Sequence, residues 1–325
     1  MTGVVLVTRK GRTMRRMRLM KTVVCMLTVI AMLSGIIIPA LATDIEQQSQ
    51  ENSTVIQLEE TAKTGLCKVK QEDGSSAWFF YKKNGTVVKE QWKKVDGVKY
   101  YFLKSGKAAT GSKKIEGVWY IFDRKGRLFT PEKEGVVRVD GVLYCANKKG
   151  KALPGWHVIG KKVVYASKRG KCAAGERISY IKFTKKGYAK NADQAIAKIE
   201  ACKFISKHTK KGWSRNQKFK ACFQYVMWYT KFTPRWNVPG KFKKGWEYKA
   251  AVSMFQNKLK GNCHGMASTV AAVAKELGYK PYVWRAAEDH SFVKVNDRYY
   301  DNMHGSVFAR RSMTEHWHVV EKFKF

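Results

Sequence analysis

The chain has 325 residues, 63 of them Lys or Arg against 25 Asp or Glu, for a net charge of +38. Charge of that size implies an anionic partner or a demand for solubility. Its seven cysteines include no C-x-x-C pair and are too sparse for a small disulfide framework or a zinc ribbon.

Residues 1–42 are basic, then apolar, with no acid among them. Arg9, Lys10, Arg12, Arg15, Arg16, Arg18 and Lys21 precede the run TVVCMLTVIAMLSGIIIPALA, and its end, Ala40-Leu41-Ala42, suits a signal peptidase. The same run is long enough to serve instead as an uncleaved anchor. Either way the bulk of the chain is expected outside the cell, secreted or at its surface. Removing the seven basic residues of the leader from +38 leaves +31. In a cytosolic protein that excess would point first to nucleic acid. In an exported one, an anionic wall polymer or an acidic membrane face fits better, and no nucleic-acid partner is expected. Lysine scattered as a solvated surface is the plainer alternative.

Residues 43–66 are polar, locally acidic and aperiodic, which predicts a flexible spacer. A repetitive grammar follows. AWFFYKKNGTVVKE, KYYFLKSGKAATG, VWYIFDRKGRLFT, VLYCANKKGKALPG and VVYASKRGKCAAG each join an apolar-aromatic cluster to polar residues, a glycine and a short continuation. Gly85, Gly106, Gly126, Gly150 and Gly170 are spaced 21, 20, 24 and 20 apart. Self-similarity at that period marks a stack of small units that cannot bury a face alone. Aromatic clusters favour strands. Asn84-Gly85 and Ser105-Gly106 supply the positive φ of tight hairpin turns, with second turns at Asp96-Gly97 and Asp140-Gly141. The expectation is a β-hairpin array over 67–190.

These units resemble the cell-wall-binding and glucan-binding repeats of Gram-positive surface proteins, relatives of choline-binding modules. The likeness spans about 120 residues and implies attachment to wall glycan or teichoic acid. Tyr100, Tyr101, Trp119 and Tyr120 are the candidate binding rings. Choline capture needs aromatic cages, and Leu143-Tyr144-Cys145 and Val164-Tyr165-Ala166 depart from that pattern. Lys82, Lys83, Lys148, Lys149, Lys161, Lys162 and Lys168 suit a polyphosphate-like polymer better. The rings serving only as core between hairpins is the alternative.

Past Lys190 the period becomes helical. NADQAIAKIEACKFISKH has apolar residues at Ile196, Ile199, Cys202 or Lys203, and Ile205–Ser206, a roughly helical spacing. Ser214 and Gln217 form a capping box opening a helix whose stripe is Phe219, Cys222, Phe223, Val226 and Tyr229, ended by Pro234 and Pro239. EYKAAVSMFQNKL predicts a third helix. Cys202 and Cys222, on the first two helices, are the cysteines placed to bridge. Short strands come last, so residues 191–325 read as an α+β domain.

Between helices and strands lies KGNCHGMASTVAAVAKELG. Cys263, Met266, Ala267, Val270, Ala274 and Leu277 share one face, with Gly278 as the stop. Cys263 thus sits at the helix N-terminus, where unpaired N–H groups and the macrodipole favour a thiolate. Gly261 and Gly265 leave room for a substrate beside it. Downstream, SFVKV-ND-RYYDN is a hairpin turning at Asn296-Asp297. Val295 then faces Arg298, Lys294 faces Tyr299 and Phe292 faces Asp301. His290 shares a side with Phe292 because strand side chains alternate, so His290 and Asp301 are diagonal neighbours. One ring nitrogen can meet Asp301 while the other meets Cys263, a nucleophile–base–orienter set.

Gly261-Asn262-Cys263, Leu277-Gly278-Tyr279, His290-Ser291-Phe292-Val293-Lys294-Val295 and Arg298-Tyr299-Tyr300-Asp301 together resemble the core of the transglutaminase-like superfamily. The resemblance implies a papain-like fold with Cys263 as nucleophile, His290 as base and Asp301 as orienter. It implies an acyl-thioester on a peptide or protein amide, with hydrolysis or amine transfer to follow, and no cofactor or metal. Phe292 stands where the family often has tryptophan. His264 points about 100° away from Cys263 around the helix and is expected at the surface or rim; Asp289 is expected on the opposite strand face. His304, His316 and His318 share no metal spacing with Cys263. Trp228, Trp246 and Gln256 are candidate oxyanion donors beside the Cys263 N–H. The competing reading is a non-catalytic wall-binding adhesin or scaffold.

Overall fold

Asp-Gly and Glu-Gly pairs set the geometry of the first half, in a computed structural model that describes residues 63–236, 242–302, 308–312 and 317–325. The leader over 1–42 and the spacer as far as residue 62 lie outside the described residues. Gly65 and Leu66, expected as the end of the spacer, instead begin strand β1 (Gly65–Lys70). Leu66 packs on the cluster of Val88, Tyr100 and Phe102, which draws it into the array. Among the described residues no helix is long and apolar enough to cross a membrane.

β1 pairs with β2 (Ser76–Tyr81), β3 (Gln91–Val95) with β4 (Val98–Phe102), and β5 (Gly111–Ile115) with β6 (Val118–Phe122). β7 (Gly135–Val139) pairs with β8 (Val142–Ala146), β9 (Gly155–Ile159) with β10 (Lys162–Ala166), and β11 (Arg177–Ile178) with β12 (Ile181–Lys182). The Asp-Gly and Glu-Gly turns carry positive φ at both positions, as at Asp96 (47°) and Gly97 (81°), the combination that matches strand twist. The periodic glycines supply the positive φ expected of them, in tight turns that follow each hairpin. At each, the chain leaves its hairpin and doubles back as a short tail, bridged as in Phe102 to Ala108 and Phe122 to Leu128.

Each tail then bonds to the hairpin before it. Ala108 N donates to Trp78 O at 2.7 Å, Leu128 N to Lys99 O at 2.8 Å, Ala152 N to Trp119 O at 2.8 Å, and Cys172 N to Leu143 O at 2.9 Å. Small residues are required where units meet: a Cβ on Gly126 would lie 2.6 Å from that of Ala108. Apolar clusters fill the spaces between successive hairpins.

Four helices follow among the described residues: α1 (Ala192–His208), α2 (Arg215–Tyr229), α3 (Trp246–Gln256) and α4 (Cys263–Glu276). The Ser214–Gln217 capping box is formed in both directions. α1 fully buries Ala195, Ala197, Ala201 and Phe204, while Ile196, Ile199 and Ile205 are half-buried against the same clusters. Alanines let it lie close to its neighbours, and Ala195 enters a shared cluster with Val163, Ile181 and Phe183 of the array. Tyr229, expected in the α2 stripe, is 58% exposed at the helix end. Cys202 and Cys222 are both free, as are the other described cysteines.

A sheet of order β18-β17-β16-β15-β19 completes the fold, with β15 (Pro281–Ala286), β16 (His290–Val295), β17 (Arg298–Tyr300), β18 (Phe308–Arg310) and β19 (Val319–Lys324), all antiparallel. α4 packs against β15 and β16 and against the other three helices. Every residue from Cys263 to Ala274 is buried, so α4 is a central rod and not an amphipathic stripe. Thr64–Phe325 form one compact unit, array and α+β part together.

Candidate active site

Asn262 caps α4, its side chain accepting from Gly265 N at 3.1 Å. The same amide donates to Trp236 O at 2.8 Å and Pro234 O at 3.2 Å, tying the 234–236 segment to the helix tip. Two short parallel strands, β13 (Lys231–Phe232) and β14 (Lys260–Gly261), reinforce that tie. Cys263, the first helical residue, is 9% exposed, and its Sγ lies 3.7 Å from the Asp289 carbonyl.

The β16–β17 hairpin has the register read from the sequence, Val295 to Arg298 and Lys294 to Tyr299. Asp301, directly after β17, takes His290 Nε2 on its Oδ1 at 2.7 Å. The second ring nitrogen, Nδ1, is therefore the one not engaged by Asp301, and Cys263 lies near enough to bear on the ring's titration. Burial alone would depress the His290 pKa. The hydrogen bonds and charges of Asp301 and Cys263 outweigh it and hold the ring up at about 9. The structure thus brings Cys263, His290 and Asp301 together in one buried chain of contacts.

Trp317 was not foreseen. Its indole N–H donates to Asp301 Oδ2 at 3.0 Å, and its ring lies 4.2 Å from that of His290 between centroids. Both carboxylate oxygens are therefore engaged. The residue falls in the HWH run near the C-terminus, which carried no periodic signal.

His264 is not at the surface. It is 2% exposed, with Nδ1 on Ser291 Oγ at 2.8 Å and Nε2 on Asp289 Oδ1 at 3.2 Å. Burial lowers its pKa, with the Asp289 charge opposing. α4 has no solvent side, and His264 clamps the turn before β16 to the helix tip. Asp289 accordingly occupies that turn, with φ 54°, rather than a strand face.

The glycines flanking Cys263 also have another reason. A Cβ on Gly265 would stand 2.7 Å from Met254 Cγ, and one on Gly261 would collide with the Met254 sulfur. They admit α3, not a substrate. Of the expected oxyanion donors, Trp228 is 70% exposed on α2 and Gln256 closes α3. Trp246 Nε1 is buried without a partner, and so is Trp236 Nε1, on the segment bonded to Asn262. The sequence reading did not include Trp236, whose backbone carbonyl is bonded to Asn262. His304 and His316 lie outside the described residues; His318 pairs with Glu288.

In the array, Tyr100 is corrected from a binding ring to a core residue, 6% exposed among Val88, Phe102 and Ala108. Tyr101 and Tyr120 are half-buried, each against Trp92, at 5.3 and 5.0 Å between centroids. Trp119 is half-buried beneath the Arg169 guanidinium, 5.6 Å from its ring.

No family model matches the sequence. No curated protein matches it. Among solved structures, the chain is similar to CbpJ from Streptococcus pneumoniae, with 19% identity over 39% of this chain and 41% of that one and a TM-score of 0.28. It is similar to choline binding protein F from Streptococcus pneumoniae, with 24% identity over 40% and 48% and a TM-score of 0.20. It is also similar to the modular autolysin LytC from Streptococcus pneumoniae, with 20% identity over 38% and 28% and a TM-score of 0.27. The chain spans less than half the length of each of these three.

Proposed function

We propose that the chain is an exported, wall-associated cysteine enzyme, a transglutaminase-like domain of papain-like fold joined to a wall-binding hairpin array. The observation that carries this reading is the buried relay from Trp317 through Asp301 and His290 to Cys263 at a helix N-terminus. In the proposed reaction the Cys263 sulfur attacks the carbonyl carbon of a peptide or protein amide. An S–C bond forms, the tetrahedral centre collapses with loss of the C–N bond, and the proton on His290 leaves with the amine. Water or a second amine then takes the acyl group from sulfur, restoring the thiol. Asp301 keeps the imidazole turned toward the sulfur. The Cys263 backbone N–H and the unpartnered indole N–H of Trp236 are the donors this reading assigns to the oxyanion. The array, with its excess of lysine, would hold the enzyme on an anionic wall polymer or glycan.

Alkylation with iodoacetamide at pH 7, read by peptide mapping, tests the reading. Burial pushes the thiols of Cys145 up to about 11 and of Cys172 and Cys222 up to about 12, so these stay silent. Cys263 is expected to react at least tenfold faster than Cys67, and His290→Gln to remove that advantage. Equal rates at Cys263 and Cys67 in the unmodified protein would overturn it.

A second reading, a non-catalytic adhesin or scaffold, is favoured by one observation: Cys263, His290 and Asp301 are 9%, 3% and 1% exposed, a small opening for a substrate. Intact-mass detection of an acyl adduct on Cys263 after incubation with wall peptides separates the two, because a scaffold forms none.

A further inference from the structure

Three successive units of the array enclose a groove of about 1000 Å³. β3 and β4 contribute Lys93, Lys94 and Lys99, and the tail after β8 contributes Lys149 and Lys151. Trp92 and Tyr120 line its wall, and Thr130 adds a hydroxyl. No carboxylate lines it, and among the described residues none of the five lysines is in an ion pair. Lys93 rests over the Phe80 ring at 4.9 Å. Five like charges around one concavity repel one another, and an anion held between them would relieve that repulsion.

The groove is held by main chain and not by chance side-chain placement. Leu128 N donates to Lys99 O at 2.8 Å, Ile121 N to Gly150 O at 3.1 Å and Ala152 N to Trp119 O at 2.8 Å, while Tyr120 and Lys151 form a bridge. The lysine stems therefore leave a backbone of fixed spacing. Ammonium groups are point charges that suit phosphate oxygens, whereas flat carboxylates and paired contacts favour arginine.

We propose that this groove is a binding site for a phosphodiester-linked polyol, a flexible saturated polymer with one negative charge per unit. The inference deepens the wall-attachment half of the function proposed above and is independent of the thiol. The rings argue against nucleic acid as the occupant. Trp92 is already packed by Tyr101 at 5.3 Å, Tyr120 at 5.0 Å and Phe122 at 5.8 Å, so it is a wall and offers no open face on which bases would stack. None of the lysines singled out from the sequence except Lys149 belongs to the site.

The test compares the full chain with two triple variants of equal charge. One is Lys93→Gln, Lys99→Gln and Lys149→Gln in the groove. The other is Lys185→Gln, Lys186→Gln and Lys211→Gln on exposed surface. Binding to synthetic poly(glycerol phosphate) and to single-stranded DNA of equal charge is measured at two salt concentrations, with thermal midpoints to verify folding. The groove variant is expected to bind poly(glycerol phosphate) at least tenfold more weakly and with a shallower salt slope, and the control to change less than twofold. Equal losses in both variants would mean diffuse charge only, and DNA bound as tightly as the polyol phosphate would mean a generic polyanion surface. Either result overturns the proposal. Iodoacetamide labelling of Cys263 in the same samples keeps failure of the groove distinct from failure of the enzyme reading.

Discussion

His290 joins two partners that both favour its charged form, and its protonation is therefore linked to folding. The folded ring titrates at about 9, above the unperturbed 6.5. Protonation thus adds stability that is fully present below 6.5 and is lost as pH rises through 9. Urea denaturation of the full chain at pH 6, 8 and 10 should show this loss, on the order of 1–3 kcal/mol. His290→Gln should be flatter over the same window. A variant with an unchanged slope would mean that the ring is not held by Asp301 and Cys263. In the proposed reaction the same linkage would bear on chemistry, since an imidazole that has given up its proton above pH 9 has none for a departing amine.

At the scale of elements, the array depends on how closely its units approach. Gly126 and Gly117 both have positive φ, 80° and 83°, but only Gly126 faces a neighbour, Ala108, while Gly117 opens to solvent. Gly117→Ala should cost about 1 kcal/mol from backbone strain alone. Gly126→Ala should cost about 2–4 kcal/mol, because the added methyl also pushes two units apart. Thermal midpoints of the two variants check the difference, and equal shifts would remove the packing argument.

The array and the β16–β17 register were legible because both rest on local rules. Glycine spacing marks a repeat, and period-two alternation puts His290 and Asp301 on one side of a two-residue turn. What escaped notice rests on contacts distant in sequence. The burial of His264 follows from α4 being enclosed on every side, which no helical stripe announces. Trp317 and Trp236 reach the site from segments 16 residues beyond Asp301 and 27 before Cys263, with no pattern linking them. Met254, not a substrate, explains Gly261 and Gly265, and a contact between two helices cannot be read from either alone.

Across the whole molecule, the array and the α+β part meet at Glu276, the last residue of α4. Its carboxylate accepts from Tyr180 Oη, in the turn between β11 and β12, and from Lys198 Nζ on α1, both at 2.5 Å. Cys202 Sγ adds a third contact at 3.1 Å. The Lys198 and Glu276 side chains are 13% and 6% exposed, so removing one leaves the other charge poorly solvated. Glu276→Ala should therefore destabilise the chain by about 3 kcal/mol. Hydrogen exchange should quicken on both sides of the junction, in β11–β12 as well as in α1. Exchange altered only within the helices would show that the two parts are energetically separate.

Glu276 and Cys263 are opposite ends of one 14-residue helix, about 21 Å long. If the hairpins are moored and a substrate strains against the thiol, the load has no slack tether to stretch. It would travel down a stiff strut from the mooring to the reacting sulfur, and mechanical tension would become a variable of the chemistry.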